Sequence, residues 1–303
     1  MSKTLKIWKI VDGKQGHESQ SDGLIAAIRK KREIEEFVVR TEDLPNPFCM
    51  LLHWIIRKKP SAFPSQAPDV IIGAGHKTHA AMLLAKSFCG GLTVVLMKPS
   101  LPLKRFDVVV VPKHDAVAPL ENSIETNGVL NAVAFVKNKD IQKGLFLIGG
   151  ESSHYRWDNA RIATQIKEVV LQDAKVQWAL TTSRRTPETF LELLQDIQVN
   201  IVPIEETDST WMHAQFNSSG QIWVTPDSVS MVYEALSSGA ATFVFSLEKN
   251  ANHSRVRSGL ACLVEDGAVM QYETWKEDPT KQHKPHAFDE ASRVASFILE
   301  RLA

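Results

Sequence analysis

The chain has 303 residues, of which 44% are hydrophobic and 23% charged, and its 35 Lys and Arg residues balance its 35 Asp and Glu residues. This length suits two domains of ordinary size, and the composition is typical of a globular protein. The formal net charge of zero argues against broad nucleic-acid binding, so an anionic ligand would have to be met by local cations.

The three cysteines, Cys49, Cys89 and Cys262, form no CxxC pair and are odd in number. They predict neither a disulfide framework nor a zinc ribbon, and they favour a reducing, cytoplasmic location. Residues 5–11 alternate like a strand and lack the features of a signal peptide. No apolar run approaches the length that spans a bilayer.

Residues 48–59 combine an apolar run that contains Trp54 with a basic triplet at their end. Such a segment predicts either peripheral contact with the anionic inner face of a membrane or a buried helix with a solvated basic end. The buried helix is the commoner arrangement, and both interpretations stay open.

The first half of the chain alternates between apolar strands and helices. Strands are predicted at 5–11, 35–40, 69–73, 92–97 and 106–111, and helices at 17–32, 47–58 and 76–88. Residues 69–73 and 107–112 are short apolar runs closed by Gly or Pro, which is typical of strands buried on both faces of a parallel sheet. A Rossmann-like domain is therefore predicted over residues 1–140.

The second half repeats this alternation after the polar stretch 138–144, which predicts a second Rossmann-like domain over residues 141–285. Its predicted strands are 145–149, 175–180, 200–203, 221–225 and 241–245, and its predicted helices are 158–172, 187–196, 209–216, 228–238 and 252–259. Residues 266–287 are polar and predict a loop or surface crossing, followed by a final amphipathic helix at 288–302 within a C-terminal segment 286–303.

One strand-to-helix segment, residues 224–235, predicts a ligand site. In open α/β sheets ligands bind beyond the carboxyl ends of the strands, and a helix begins here after Thr225. Asp227, Ser230 or Met231, and Glu234 would share one helix face. The helix mouth suits a phosphate and Glu234 suits paired ribose hydroxyls, whereas the alternative is an ordinary helix capped by Asp227 or Ser228.

A second candidate is the turn at residues 12–20, which follows the first strand. Gly13 and Gly16 would let the backbone approach a ligand, and Lys14 or His17 could contact it or move a proton. The turn is neither GxGxxG nor a P-loop, so classical NAD or NTP binding is unsupported. The alternative is a glycine turn that contains a histidine by chance. Gly75 follows the third strand at an equivalent position.

Two turns in the second half also carry ligand-binding residue types. Gly149 and Gly150 lead to Ser152 and could wrap a phosphate with backbone donors. The segment from Ser183 to Arg185 places two arginines in a loop before a Pro-initiated helix, and Arg reads phosphate in a bidentate fashion. A solvated charge pair is the alternative for the arginines.

Metal binding is not expected. His76 and His79 lie three residues apart without a third ligand of good spacing, so capping and packing explain them better. The chain contains no Asp-x-Asp, the usual carboxylate clamp for a divalent ion on a sugar nucleotide. We therefore expect a metal-independent mechanism and no cofactor.

The chain as a whole resembles a GT-B glycosyltransferase. The resemblance rests on two Rossmann-like halves, a Gly-rich turn with His17, a Gly-Gly turn and a late helix with Glu234. The motifs at 12–20, 181–187 and 225–231 further resemble the mitochondrial-fission ELM family, whose bacterial members are treated as candidate glycosyltransferases. A proline is common in the first motif of that family, where this chain has Gln15.

The resemblance implies two domains that face each other across a cleft, with the nucleotide-sugar donor on the second domain and the acceptor on the first. A C-terminal helix would cross back to the first domain. By analogy Glu234 would hold the ribose, and Arg184 or Arg185 would neutralise the leaving group. His17 would be the general base, with Glu18 and Lys14 as rivals. The residues expected to bind donor or substrate are Gly13, Gly16, Gln20, Gly75, Gly149, Gly150, Ser152, Ser183, Arg184, Arg185, Thr225, Asp227, Ser228, Ser230, Met231 and Glu234.

The implied activity is transfer of a sugar from a nucleotide-sugar to an unknown acceptor, such as a cell-envelope glycan or a lipid. Two other functions stay open. A nucleotide-sugar epimerase or hydrolase would need carboxylates near the sugar ring, which Glu18, Glu151 and Asp227 could supply. A non-catalytic interaction protein with the same fold is the other, because a fold does not fix a function.

Overall fold

The computed structural model describes residues 4–45, 55–56, 59–115, 117–251, 255–280 and 282–302. The chain divides into two compact units. Unit 1 consists of Met1–Ala132 and Asp289–Ala303, and unit 2 consists of Val133–Phe288. The division between the units therefore lies earlier in the chain than the predicted boundary at 140, and the last residues join unit 1.

Unit 1 contains a parallel six-stranded sheet with the strand order β2-β1-β3-β4-β5-β6. Its strands are β1 (Leu5–Val11), β2 (Ile34–Arg40), β3 (Val70–Ala74), β4 (Leu92–Leu96), β5 (Val108–Pro112) and β6 (Ser123–Thr126). Helix α1 (Gln15–Arg29) follows β1, and helix α2 (His76–Cys89) follows β3. The first five strands confirm the predicted ones, whereas β6 was not predicted because it is a short, half-polar edge strand.

The unit 1 sheet is buried on both faces, as its apolar runs predict. Every residue of β3 and β5 is buried. On one face α1 contributes Leu24 and Ile28 to a core cluster, and on the other α2 contributes Met82 to a cluster that includes Trp8. Burial of these side chains is the main force that holds the layers together, at about 1.5–3 kcal/mol for each large apolar side chain.

Unit 2 contains a second parallel six-stranded sheet, ordered β10-β9-β7-β11-β12-β14, and a two-stranded antiparallel ribbon of β8 and β13. The strands are β7 (Asp140–Leu147), β8 (Tyr155–Arg156), β9 (Gln177–Thr181), β10 (Asn200–Val202), β11 (Ser219–Val224), β12 (Ala241–Val244), β13 (Glu248–Lys249) and β14 (Met270–Gln271). The helices are α3 (Asn159–Gln172), α4 (Ser209–Ser218), α5 (Val229–Ser238), α6 (Arg255–Glu265) and α7 (Tyr272–Glu277).

Two predictions for unit 2 are wrong. The predicted helix 187–196 is a 3-10 helix over Glu188–Leu194. The predicted loop 266–287 contains β14 and α7, because Tyr272 and Trp275 lie three residues apart and bury one face of a short helix against Trp223. The polar residues around β14 and α7 hid the apolar pattern that would have predicted these two elements.

The C-terminal helix α8 (Glu290–Arg301) belongs to unit 1, where Val294 and Ile298 join the core cluster that includes α1. The predicted helix 47–58 and the proposed membrane contact at 48–59 lie mostly outside the described residues. None of the helices in the described part of the chain is long and apolar enough to cross a membrane.

Candidate functional site

Three predicted turns meet at the carboxyl edge of the unit 2 sheet. They follow β7, β9 and β11, which are neighbouring parallel strands, so their ends lie side by side. The Gly149 N–H donates a hydrogen bond of 2.7 Å to Thr225 Oγ1, and the Gly150 N–H donates one of 3.0 Å to Asp227 Oδ2. The loops are thus joined by their own polar groups.

Arg185 completes this network. Its Nη2 lies 2.8 Å from Asp227 Oδ2, and its Nη1 donates a hydrogen bond of 2.9 Å to the Glu151 carbonyl. The Asp227 side chain is fully buried. Ion pairing and hydrogen bonding offset the cost of burying that carboxylate. Gly150, Arg185 and Asp227, which were expected to bind donor or substrate, therefore bind one another in the framework of the site.

The glycines of this turn are required by packing. A Cβ at Gly149 would lie 2.2 Å from Asp227 Oδ2, and one at Gly150 would lie 2.0 Å from the Arg185 carbonyl oxygen. Ser183 and Ser152 also act locally. Ser183 Oγ accepts the N–H of Arg185 at 3.2 Å, and Ser152 Oγ accepts two backbone N–H groups of its own turn.

The mouth of α5, by contrast, is open. The helix begins after Ser228, and no side chain of the described residues caps it. Asp227 turns back to Gly150, and Ser228 Oγ lies 3.2 Å from Ser230 Oγ. The alternative of an ordinary capped helix is thus wrong. The N–H groups from Val229 to Met231 form the uncapped, positive end of a helix, which favours an anion.

Glu234 lies one turn inside this helix. Burial raises the pKa of its carboxyl to about 7. None of the described residues hydrogen-bonds to it or forms an ion pair with it, and it keeps partial access to solvent. An unpartnered carboxyl in such a place can accept hydrogen bonds from ligand hydroxyls. Arg184 is exposed in the neighbouring loop.

A cavity of about 380 Å³ adjoins this edge of unit 2 at Pro226. It is also lined by the end of β12, by Tyr155 and by Arg257. Burial raises the pKa of the Tyr155 hydroxyl, and the nearby Arg257 opposes that rise. Pro226 lies in the predicted segment 224–235, but the other lining residues were not predicted, because only the folded sheet brings β8, β12 and α6 together.

Unit 1 has its own polar cluster at the carboxyl end of β1. His17 Nδ1 lies 3.0 Å from both carboxylate oxygens of Asp12, whose side chain is fully buried. A carboxylate only accepts, so Nδ1 carries a proton and donates it, and Nε2 is the nitrogen that can take up a proton. Asp12 belongs to the predicted turn 12–20 but was not predicted as a site residue, although its place directly after a strand was a usable signal.

Gly75 provides the space for this pair. Its φ is +86°, and a Cβ there would lie 2.3 Å from His17 Nδ1. A side chain at this position would therefore be strained and would displace the imidazole. The predicted site residue Gly75 acts on His17 by leaving room for it.

The other predicted residues of the first turn differ in role. Gly13 has a φ of +78° in the turn, whereas a Cβ at Gly16 would meet nothing within 4 Å. Lys14 is exposed at the start of α1, and Glu18 lines a cavity of about 310 Å³. Gln20 is 7% exposed and its Nε2 lies 3.5 Å from Met97 Sδ, so the structure places Gln20 in the interior.

Of the two histidines at the start of α2, His79 is in the interior, whereas His76 is exposed. His79 is buried, its Nδ1 lies 3.1 Å from Ser100 Oγ, and its ring packs edge-on against Phe106. Burial lowers its pKa, with smaller contributions from His76 and His17. Within the described part of the chain, no group of three or more His, Cys, Asp or Glu side chains is arranged to hold a metal ion.

The sequence profile described as Mitochondrial fission ELM1 matches residues 15–302. The chain belongs to this family. A further relative, the uncharacterized protein RP120 of Rickettsia prowazekii, is 24% identical over 360 aligned positions, which cover 97% of this chain and 98% of that protein. The family resemblance inferred from the three motifs is confirmed.

Two solved structures share the fold of this ELM1-family chain. The glycotransferase of kitacinnamycin has a TM-score of 0.54 at 12% identity, with 100% of both chains covered. The UDP-GlcNAc 2-epimerase of Neisseria meningitidis, bound to UDP-GlcNAc, has a TM-score of 0.51 at 14% identity, with 98% of this chain and 99% of that chain covered. At such identities the likeness concerns the fold alone, and it confirms the predicted GT-B-like class.

Proposed function

We propose that this protein is a glycosyltransferase that binds a nucleotide-sugar on unit 2 and transfers the sugar to an acceptor hydroxyl. The observation that supports it best is the uncapped mouth of α5 followed one turn later by the unpartnered Glu234. The binding of UDP-GlcNAc by the structurally similar Neisseria meningitidis epimerase supports the choice of donor class.

The donor would use the groups that the unit 2 framework leaves free. The diphosphate would accept hydrogen bonds from the backbone N–H groups at the start of α5 and from the hydroxyls of Ser228 and Ser230. Glu234 would accept hydrogen bonds from the ribose hydroxyls. The surrounding turns, joined by Asp227 and Arg185, would hold the helix mouth in place.

Transfer needs a base for the acceptor and positive charge for the leaving group. In our proposal His17 Nε2 takes the proton of the acceptor hydroxyl while its oxygen forms a bond to the anomeric carbon. The bond from that carbon to the phosphate oxygen breaks, and its electron pair remains on the nucleoside diphosphate. The helix dipole of α5 and the exposed Arg184 would stabilise this charge. Glu18 and Lys14 are rival bases.

A nucleotide-sugar epimerase or hydrolase is the second candidate, because the Neisseria meningitidis epimerase has the same fold. Both candidates require the same donor site in unit 2. They differ in product, since an epimerase releases an altered nucleotide-sugar, a hydrolase releases free sugar, and a transferase forms a new glycoside.

Donor binding is tested first by thermal unfolding with UDP-, GDP-, CMP- and dTDP-sugars. A ligand that binds only the folded state at 100 times its Kd stabilises it by about 2.7 kcal/mol, so one nucleotide class should raise the melting temperature by several degrees. Glu234→Gln should weaken that effect. Glu300→Gln is the matched control, because Glu300 is exposed on α8 of unit 1.

If none of the four classes stabilises the protein, the enzyme proposal fails and a non-catalytic interaction role is favoured. If one class does, product analysis with that nucleotide-sugar separates transfer from epimerisation and hydrolysis.

A further inference from the structure

A cavity of about 310 Å³ lies at the carboxyl edge of the unit 1 sheet. The Asp12–His17 pair explains only part of its lining. Besides residues of the first turn, it is lined by Arg40, Thr41, Glu42 and Lys77. Strand pairing explains the grouping. Arg40 ends β2 beside Val11, and Lys77 opens α2 directly after β3, the other neighbour of β1.

We propose that this cavity binds a phosphorylated sugar or a closely similar hydroxylated phosphate ester, as the acceptor. The inference rests on the proposed transferase function, because that function gives unit 1 an acceptor to bind. The volume of the cavity lies at the lower end of the range for ligand pockets, roughly 300–1,000 Å³, which favours a ligand the size of a monosaccharide.

Two cations in the lining of the cavity favour a ligand that carries a phosphate. Arg40 and Lys77 are exposed at the cavity, and neither forms an ion pair with any residue that the structure describes. The adjoining helices add to this potential. Helix α1 begins after Lys14 and helix α2 after Gly75, and neither start is capped by a side chain of the described residues. The Asp12 carboxylate also lines the cavity, but it is bound by His17 and accepts the Lys14 N–H. The two cations, which have no such partner among the described residues, therefore favour a compact anion.

The carboxylates in the lining favour a ligand that also carries hydroxyl groups. Glu18 and Glu42 line the same cavity, and they can only accept hydrogen bonds when ionised. Such acceptors disfavour a bare polyanion by repulsion but suit the hydroxyl groups of a sugar. A ligand that carries one phosphate and several hydroxyls satisfies both sets of groups, and it would present a hydroxyl beside His17.

The test is a calorimetric titration of the wild-type chain with glucose 6-phosphate, glucose and inorganic phosphate. We expect glucose 6-phosphate to bind at least tenfold more tightly than either of the other two probes. Arg40→Gln and Lys77→Gln should each weaken that binding by about tenfold or more, because each removes a charge-assisted hydrogen bond. Lys31→Gln should leave it unchanged, since Lys31 is exposed beyond the opposite end of α1.

Thermal unfolding without ligand checks that all three variants fold, which is expected for exposed positions. The inference is overturned if glucose 6-phosphate binds no more tightly than glucose, or if the Arg40 and Lys77 variants bind it like the Lys31 variant. Donor binding at Glu234 is measured separately on unit 2. A failed titration with intact donor binding therefore removes this inference alone, and the reverse result removes the transferase proposal.

Discussion

At the carboxyl edge of the unit 2 sheet, Gly150, Arg185 and Asp227 bind one another, whereas the mouth of α5 has no side-chain cap among the described residues. At the same edge of unit 1, Asp12 binds His17, whereas Arg40 and Lys77 line a cavity and form no ion pair with the residues that the structure describes. The sequence places similar residue types at both edges. Internal hydrogen bonds, rather than residue type, therefore decide which polar groups are free to bind a ligand.

The largest effect is expected for Gly150→Ala. Its Cβ would lie 2.0 Å from a backbone carbonyl oxygen that cannot move without opening the turn. We expect a loss of about 3 kcal/mol or more in the free energy of unfolding, measured by urea denaturation. Gly16→Ala is the matched control. It meets no atom within 4 Å and lies in α1, so it should be neutral or stabilising by up to about 1 kcal/mol.

An equal free energy of unfolding for Gly150→Ala and Gly16→Ala would show that close packing does not hold the unit 2 turn. The contrast between the two edges would then be lost.

Asp227→Ala is expected to cost about 2–3 kcal/mol of unfolding free energy. It leaves the Gly150 N–H and the Arg185 guanidinium without their acceptor, and the figure lies below that of a fully buried ion pair because Arg185 is partly exposed. Asp227→Asn should recover part of the loss, because an amide oxygen can still accept the Gly150 N–H. A cost under about 0.5 kcal/mol for the alanine variant would contradict the framework role.

Asp12→Asn should lower the rate constant kcat by about 10- to 100-fold, equivalent to about 1.4–2.7 kcal/mol, once a substrate pair is in hand. An amide no longer fixes the His17 proton on Nδ1, so Nε2 would be less available as a base. The measurement is the pH dependence of kcat. A purely structural role would lower stability without moving the acidic limb of the pH profile, where a general base loses activity as it becomes protonated.

Glu234→Gln should raise stability by about 1–2 kcal/mol at pH 8 and change it little at pH 4 to 5. The carboxyl has a folded-state pKa of about 7, above its ordinary 4.5, so the folded state binds more protons and stability falls as pH rises between these values. Glutamine removes that ionisation. Denaturation curves at both pH values check the sign, and a variant that is less stable at pH 8 would contradict the account.

Much of the fold could be predicted from the sequence. Short apolar runs such as those of β3 and β5 are buried on both faces, and their alternation with helices requires parallel sheets. Where the prediction failed, tertiary contacts outweighed local pattern. Helix α7 is held by Tyr272 and Trp275 against Trp223, within a stretch whose composition is that of a loop.

The candidate site was predicted less completely. The motifs predicted which turns carry polar groups. They did not predict the hydrogen-bond partners of those groups, because the partners depend on strand order, which the sequence does not supply. Arg40 and Lys77 lie far apart in the chain and meet only because β2 and β3 flank β1. Likewise, no local pattern could show that Asp227 turns away from its own helix to bind Arg185.

Binding of a nucleotide-sugar diphosphate at the mouth of α5 is the core of the proposed function. It is tested most directly by following the backbone amide resonances of Val229, Ser230 and Met231 during titration with the nucleotide-sugar that stabilises the protein. We expect these three resonances to shift in a saturable way in the wild type, and we expect Glu234→Gln to weaken the apparent affinity. Saturable binding that leaves all three resonances in place would contradict it.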